Sequence, residues 1–429
     1  MTKFQIITIA IFIVAIVAGV IAFATYKGGS SSQSLPTVTI WGTFPAETFD
    51  QYVSKVNNNL AQGISVKYVQ KSPENFSTDF VAALARNAGP DGILIPADMI
   101  LPHEDKLALI PYSALPQRDF LDAYIQEAKI YLSGNGILAI PFTVDPLVMY
   151  WNRDMYNVAG LATYPKNWED FTFLNKQITQ KDQNGNIRKS AIAMGTFSNI
   201  NNAREILGSL LLQSNNPITT ITVEGLPVST LKAAYRASPA PSLQFFSQFV
   251  DPANTNYSWN RAMPVDKSAF LSGMLATYFG MASELNDLRN KNPNLNFDVA
   301  PLPQVKSGGK VTAYARMYGF SITRASANPN AVYQVIAILT APTNLANLSK
   351  TMYLPTVLNS LNQSSDDPYI TNFNRAALTA SNWLDIDPVK SRQILGAMVE
   401  SFTSGQKTAS QAIQDAGDQY DLVLRQAIQ

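Results

Sequence analysis

From Val38 onward the chain alternates short apolar runs with helical apolar periods, and that alternation restricts its fold more than any other feature. VTIW (38–41) and ISVKYV (64–69) have strand patterns; between them Pro45 suits a helix start ahead of Phe49, Val53 and Val56. Phe76, Phe80 and Leu84 recur every fourth residue, and Gly89-Pro90 ends that helix before the buried-strand run Ile93-Leu94-Ile95. This βαβα order predicts an α/β sheet with helices on both faces. Farther on, Gly134-Asn135-Gly136 is a tight turn feeding ILAIPF, and Asn184-Gly185 is another. Asn167 is expected to cap a helix by accepting from the Asp170 N–H. A helix over residues 264–271, strands in ATYFG, FDVAPLP and MYGFSIT, and helical stripes at Val332, Val335, Ile336, Leu339 and at Ile394, Met398 complete the pattern.

Residues 6–24 carry no charge and follow Lys3; as a helix rising about 1.5 Å per residue they would cross most of a roughly 30 Å hydrocarbon layer. Two readings are open: an N-terminal transmembrane anchor within residues 1–26, or a signal peptide cleaved after Ala22-Phe23-Ala24. Lys3 favours a cytoplasmic N-terminus, a single span in the cell membrane and an extracytoplasmic bulk. Residues 27–35, with GGSSSQS, have linker composition. About 395 residues follow, more than one core usually serves, so two lobes are expected.

The chain lacks cysteine and has one histidine, His103, in LPHED, which excludes thiolate metal sites, Cys nucleophiles and His-rich centres. A lone His beside Glu104 and Asp105 reads as a surface loop residue. A net charge of +1, without a basic run, argues against nucleic acid. No Walker, G-x-S-x-G, H-E-x-x-H or dinucleotide fingerprint is present, so neither enzyme class nor cofactor is indicated. The 31 acidic residues leave a glycosidase carboxylate pair open, Asp98 with Asp145 for example.

The order of segments resembles the extracellular solute-binding proteins of ABC importers, in particular the maltose-binding-protein-like (family 1) group, over residues 38–427. The resemblance is carried by VTIW and ISVKYV, by GPDGILIPAD (89–98), and by ILAIPFTVDPLVMYWNRDMYNVAGLATYPKNWEDF, with Trp151-Asn152-Arg153-Asp154, Gly160-Leu161 and Trp168-Glu169-Asp170 at the group's most recognisable places. AFLSGMLATYFG, FDVAPLP, YGFSITRASANPNAVYQVIAIL and SGQKTASQAIQDA follow in the same order. The resemblance implies a two-lobed, periplasmic-binding-protein-like (type II) fold whose hinge-crossing strands let the lobes close on a ligand. It puts crossings near residues 141–145, 278–283 and 320–323, hence one lobe of residues 36–143 with 279–320 and another of 144–278 with 321–429. It further implies a cofactor-free, non-enzymatic monomer that captures a small solute, a sugar, and delivers it to permease subunits in the membrane.

A sugar offers hydroxyls all round and an apolar face, so its site needs acids, amides and flat rings. By resemblance Asp145 and Asp98 stand where the group has sugar-contacting acids, and Ser283 stands where a stacking Trp is expected. Tyr278, Trp383 and Trp41 could supply rings, with sheet packing as the alternative for Trp41 and Trp383. Asn199, Asn201 and Asn202 could supply amides, or form a turn. Trp151 lies six residues past Asp145, roughly 20 Å along a strand, and is expected to pack. Other solutes on the same fold are a polyamine, a phosphate ester or a peptide; an anion would call for convergent Arg or Lys, and only Arg316 is evident at the crossings.

Overall fold

The structure, a computed structural model, describes residues 37–57, 65–223, 226–232, 237–306, 308–362, 365–385 and 387–426. The expected span at 6–24 and the linker at 27–35 lie outside the described residues; no described helix is long and apolar enough to cross a membrane.

The opening pattern becomes β1 (Thr37–Gly42), α1 (Ala46–Asn57), β2 (Ser65–Gln70), α2 (Phe76–Ala85) and β3 (Gly92–Pro96). β1 pairs in parallel with both β2 and β3, as crossover helices require. The Pro45 carbonyl accepts from the Phe49 N–H at 3.0 Å, so the helix starts where proline has no N–H to lose. Its Phe49, Tyr52, Val53 and Val56 are buried.

The other principal strands are β4 (Ile140–Asn152), β5 (Ile187–Ile192), β6 (Leu275–Met281), β7 (Phe297–Pro301) and β8 (Ala313–Thr323). With short strands they form one eleven-stranded sheet among the described residues, whose main path runs β2-β1-β3-β8-β4-β6-β5. Two strands carry the chain between the lobes. Up to Pro146, β4 pairs antiparallel with β8; from Leu147 it pairs with β6 on one side, and from Val148 with β7 on the other. β8 starts beside Ala380–Ser381, passes along β4 and finishes against β3. Pro141, second in the strand, and Pro146 thus belong to a single long strand, and Pro146 marks the exchange of partners.

Between Tyr318 and Gly319 the register shifts, leaving Phe142 without an opposite residue. Its ring enters a cluster with Phe320 (centroids 4.9 Å), Phe44 and Phe49. Glycine is required at 319: a Cβ there would lie 2.8 Å from Tyr131 Cζ and 3.0 Å from Ala139 Cβ.

The helices α3 (Ala203–Gln213), α4 (Pro329–Leu339), α5 (Pro342–Met352), α6 (Pro368–Leu378), α7 (Pro388–Thr403) and α8 (Ala409–Gln426) sort between the lobes by packing. α4 and α5 pack on α1, so they belong with the first lobe, although residues 321–429 are expected in the second. β7 pairs with residues 148–152 and α6 packs on it, so residues 297–301 lie in the second lobe, not the first. The crossing expected at 278–283 is the end of β6, fully inside the second-lobe part of the sheet. The reason is physical: apolar runs reveal that strands exist but carry no label for their partners. In the second lobe Trp168 donates to Gln213 Oε1 (2.7 Å), and the Gln213 amide donates to the carbonyls of Pro303 (3.0 Å) and Thr312 (2.8 Å). The helix after Asn167 begins later, at Asp170–Ile178, with the bond reversed: the Asn167 N–H donates to Asp170 Oδ2 at 3.1 Å.

Candidate functional site

At the partner exchange on β4, Asp145 stands opposite Arg316 of β8. The next turn beyond β6 brings Ser283 back to it: the Ser283 N–H donates to Asp145 Oδ1 (2.9 Å) and its hydroxyl to Oδ2 (2.7 Å). Two expected site residues thus meet, 138 positions apart. Their bond fixes the turn Ala282–Glu284 to the crossing strand. Burial, opposed by Ser283 and Arg316, pushes the Asp145 carboxyl up to about 6.

Asp98 follows β3 on the short helix Ala97–Ile100; it is 5% exposed, and its Oδ1 has no hydrogen-bond partner. Burial pushes its carboxyl up to about 6 against the opposing fields of Arg204 and Arg316. Arg204 comes from α3 in the second lobe and acts on this first-lobe acid through its field alone, its own ion pairs being with Glu205 and Asp385. Arg204 is itself buried, donating to Glu205 Oε1 (2.9 Å) and to Asp385 Oδ2, with its guanidinium 4.5 Å from the Trp383 ring centre. Tyr314 stacks at a tilt on Trp383 at 5.4 Å and receives a 3.4 Å bond from Arg204. A further unexpected acid is half-buried Glu127, in Gln126–Tyr131, a segment packed on Ala380–Ser381. Burial pushes its carboxyl up to about 8, opposed by Lys310 and the Asn382 backbone.

Arg204, Glu205, Asp385 and Glu127 were not evident as site residues, but the sequence NNAREILGSLLL holds one clue. Every residue of α3 is buried, so its adjacent charges sit in a helix with no watery face. Charges in such a helix need partners from elsewhere in the fold.

Of the remaining expected residues only Trp383 belongs to this cluster, through Arg204 and Tyr314. Trp41, half-buried at the end of β1, lies beneath Lys71 Nζ at 4.0 Å from its ring centre. Trp383 is 3% exposed and flush with Gly208, where a Cβ would approach Cζ3 to 2.5 Å. Tyr278 is buried between Tyr150 and Phe270 and donates to Glu284 Oε2 at 2.7 Å. Asn199 donates to the carbonyls of Asn260 and Met263, both at 2.9 Å, tying down a second-lobe loop. Asn201 donates its N–H to Asp266, while its carbonyl accepts from Arg392 at 2.8 Å. Asn202 donates to the Phe279 carbonyl at 3.0 Å. Trp151 is buried against Tyr156 and Tyr164. His103 is a correction: it is not a surface residue but buried, bonded to Ser77 Oγ at 3.0 Å and edge-on to Phe80, because its turn folds back onto α2. Among the described residues no His, Asp and Glu side chains gather as a metal set. A surface depression of about 380 Å³ lies elsewhere, between α7 and α8.

The raised carboxyls fix a pH response. Glu127 (about 8), Asp266 (about 7), Asp98 and Asp145 (about 6 each) hold protons in the fold that the unfolded chain has already released above pH 4 to 5, so stability falls as pH rises through this window. His103, pushed down to about 4 by burial, opposes this only below its ordinary value of 6.5. Each proton difference contributes about 1.4 kcal/mol per pH unit. The melting temperature of the unliganded protein is expected to be higher at pH 5.5 than at pH 8.5; a flat or rising profile would contradict these burial effects.

A family model described as bacterial extracellular solute-binding protein matches residues 51–376. Among curated proteins no sequence matches the chain. Among solved structures, the sugar-binding protein MalE from the phytopathogen Xanthomonas citri superposes with a TM-score of 0.72 at 17% identity, covering 91% of this chain and 98% of that one. The cyclic alpha-maltosyl-1,6-maltose binding protein from Arthrobacter globiformis gives 0.72 at 15% identity, covering 91% and 99%. A cyclo/maltodextrin-binding protein complexed with maltotetraose gives 0.72 at 14% identity, covering 93% and 99%. At such identities the likeness is one of fold.

Proposed function

Given that the chain belongs to the bacterial extracellular solute-binding proteins, which are not enzymes, we propose that it captures a carbohydrate between its lobes and hands it to the membrane permease of an ABC importer. The observation that carries this reading is the buried Asp98 beyond β3, with an unpartnered Oδ1, together with the pair Asp145 and Arg316 that face each other where the crossing strands exchange partners. Charged, hydrogen-bonding side chains that converge where two domains can hinge are what a polyol needs, since each hydroxyl both donates and accepts. An unpartnered, buried carboxylate oxygen on Asp98 is an acceptor awaiting a donor. The neighbours whose names mention sugars support the same ligand class.

In this reading Asp98, Arg204, Glu127 and Arg316 face the solute, Trp41 stands at the first-lobe rim, and Asp145 with Ser283 holds the crossing in shape. Closure rotates one lobe against the other about β4, β8 and the segment after α5. The apolar stretch at 6–24 tethers the protein outside the membrane, where a captured solute is already beside its transporter.

Thermal unfolding of the full chain against neutral mono- and oligosaccharides tests the proposal. A bound sugar at a hundred times its Kd is expected to add about 2.7 kcal/mol and raise the melting temperature. Asp98→Asn should abolish that rise, and its absence with every sugar in the wild type would sink the carbohydrate reading.

A further inference from the structure

Arg289 is a cation without a carboxylate. Among the described residues it enters no ion pair, although Asp287 and Lys291 on the same helix do. Its guanidinium lies instead between two half-buried tyrosine rings, 4.3 Å from the centre of Tyr369 and 5.3 Å from that of Tyr353.

The two rings belong to different lobes. Tyr369 is on α6, and its hydroxyl donates to the Phe297 carbonyl of β7 at 3.3 Å, inside the second lobe. Arg289 is on the helix Leu285–Lys291, which Lys267 anchors to the same lobe by pairing with Glu284 (2.8 Å) and Asp287 (2.6 Å). Tyr353 ends α5 in the first lobe, and the chain just beyond it stays there: the Pro355 carbonyl accepts from the Thr143 hydroxyl (3.2 Å), and the Val357 carbonyl from the Ile125 N–H (2.9 Å). The contact of Arg289 with Tyr353 therefore joins the lobes directly, without running along a crossing strand.

Tyr353 also has a backbone that tyrosine seldom adopts, left-handed with φ 53° and ψ 37°. Glycine is the usual residue just past a helix end in that conformation. Capping α5 needs no ring, whereas stacking on Arg289 does.

The side of the hinge on which this contact lies follows from the strands. Thr143 and Asp145 project to the same face of β4, and Arg316 stands opposite Asp145. Ser283 is bonded to Asp145 and Pro355 to Thr143, so the helix carrying Arg289 and the loop following Tyr353 both start from the face of Asp145 and Arg316. Arg289 is six residues past Ser283, about 9 Å along a helix, far enough for a rotation about the crossing strands to part it from Tyr353.

Resting on the reading of a cleft that closes on a solute at that face, we propose that Arg289 is a positioning residue, and that Tyr353, Arg289 and Tyr369 form a clamp holding the lobes toward closure before a solute arrives. Opening on this side carries Tyr353 away from Arg289, so the contact favours only the closed arrangement. A solute then gives up less of its affinity to the closing step, because the competent arrangement is populated in advance.

Interlobe distances in the full chain test this without any sugar. The chain has no cysteine, so Gln51→Cys on α1 and Gln177→Cys on the second-lobe helix Asp170–Ile178, both exposed, take one nitroxide each for pulsed electron resonance. Arg289→Ala and Tyr353→Gly are each expected to raise the share of molecules displaced from the wild-type distance at least about threefold. Tyr353→Phe keeps the ring and should give the wild-type distances, a rescue that loss of local packing would not predict. Glycine suits the backbone at 353, and Arg289 is half-exposed, so both variants should retain a cooperative melt. Wild-type distances in Arg289→Ala, or the same displacement in Tyr353→Phe as in Tyr353→Gly, overturn the clamp and leave the carbohydrate reading standing. Failure of every sugar to raise the melting temperature sinks that reading instead, and leaves the interlobe distances unchanged.

Discussion

Replacing Arg204 by methionine is expected to lower the unfolding free energy by about 3 to 5 kcal/mol, the usual effect of breaking a buried ion pair from one side. Arg204 and Asp385 are 3% and 2% exposed along their side chains, and Glu205 is 9% exposed. Methionine fills much of the same volume, so little of the loss would come from a cavity. The loss comes from Asp385 and Glu205, two carboxylates left without the guanidinium that compensates their removal from water. Asp385 retains the Ser391 hydroxyl and the Asp387 N–H (3.2 Å) as donors, which softens but does not cancel the effect. Urea unfolding followed by tryptophan fluorescence reads the loss, and Trp383 should report the change locally because the guanidinium stacks on its ring. Adding Asp385→Asn to the methionine variant should recover at least about 1 kcal/mol, since the two sites are coupled. A single variant within about 1 kcal/mol of the wild type would show that Arg204 is not the keystone of this cluster.

Asp145→Ala is expected to destabilise the unliganded protein by about 2 to 4 kcal/mol, because it leaves the Ser283 N–H and hydroxyl without their acceptor and Arg316 without its facing acid. Asp145→Asn should be milder: one amide oxygen still accepts the Ser283 N–H, and the new NH2 can donate to the Ser283 hydroxyl oxygen. A carboxylate used for ligand alone would behave differently, with affinity falling and the empty protein melting as before. Chemical denaturation of the unliganded variants separates the two roles. An alanine variant as stable as the wild type would return Asp145 to the ligand.

The contrast between Asp145 and Arg204 shows what the sequence made legible. Strands and helices announce themselves by period, so VTIW, ISVKYV, Ile93-Leu94-Ile95 and the Val332 stripe are all found where expected. Asp145 and Asp98 stood out as lone acids in apolar runs, and both are buried at the interface. Arg204 and Asp385 did not, because their meaning comes from each other across 181 positions, a distance no local pattern spans. The same limit explains the lobe boundaries. FDVAPLP has the look of any buried strand, and only its pairing with Trp151 and Tyr150 places it in the second lobe. Asn199 misled in the opposite direction: a polar loop looked free to meet a ligand, yet its amide is needed to close two backbone carbonyls.

The pairing of β3 with β8 also sets the order in which the protein can be made. Leu94 faces Phe320 in that ladder, roughly 225 residues later in the chain, so the first lobe lacks its central partner strand until most of the polypeptide has been synthesised. Until then β3, already paired with β1 on one side, presents an unpaired apolar edge on the other. The sheet that both lobes share is therefore completed only once this late strand has emerged.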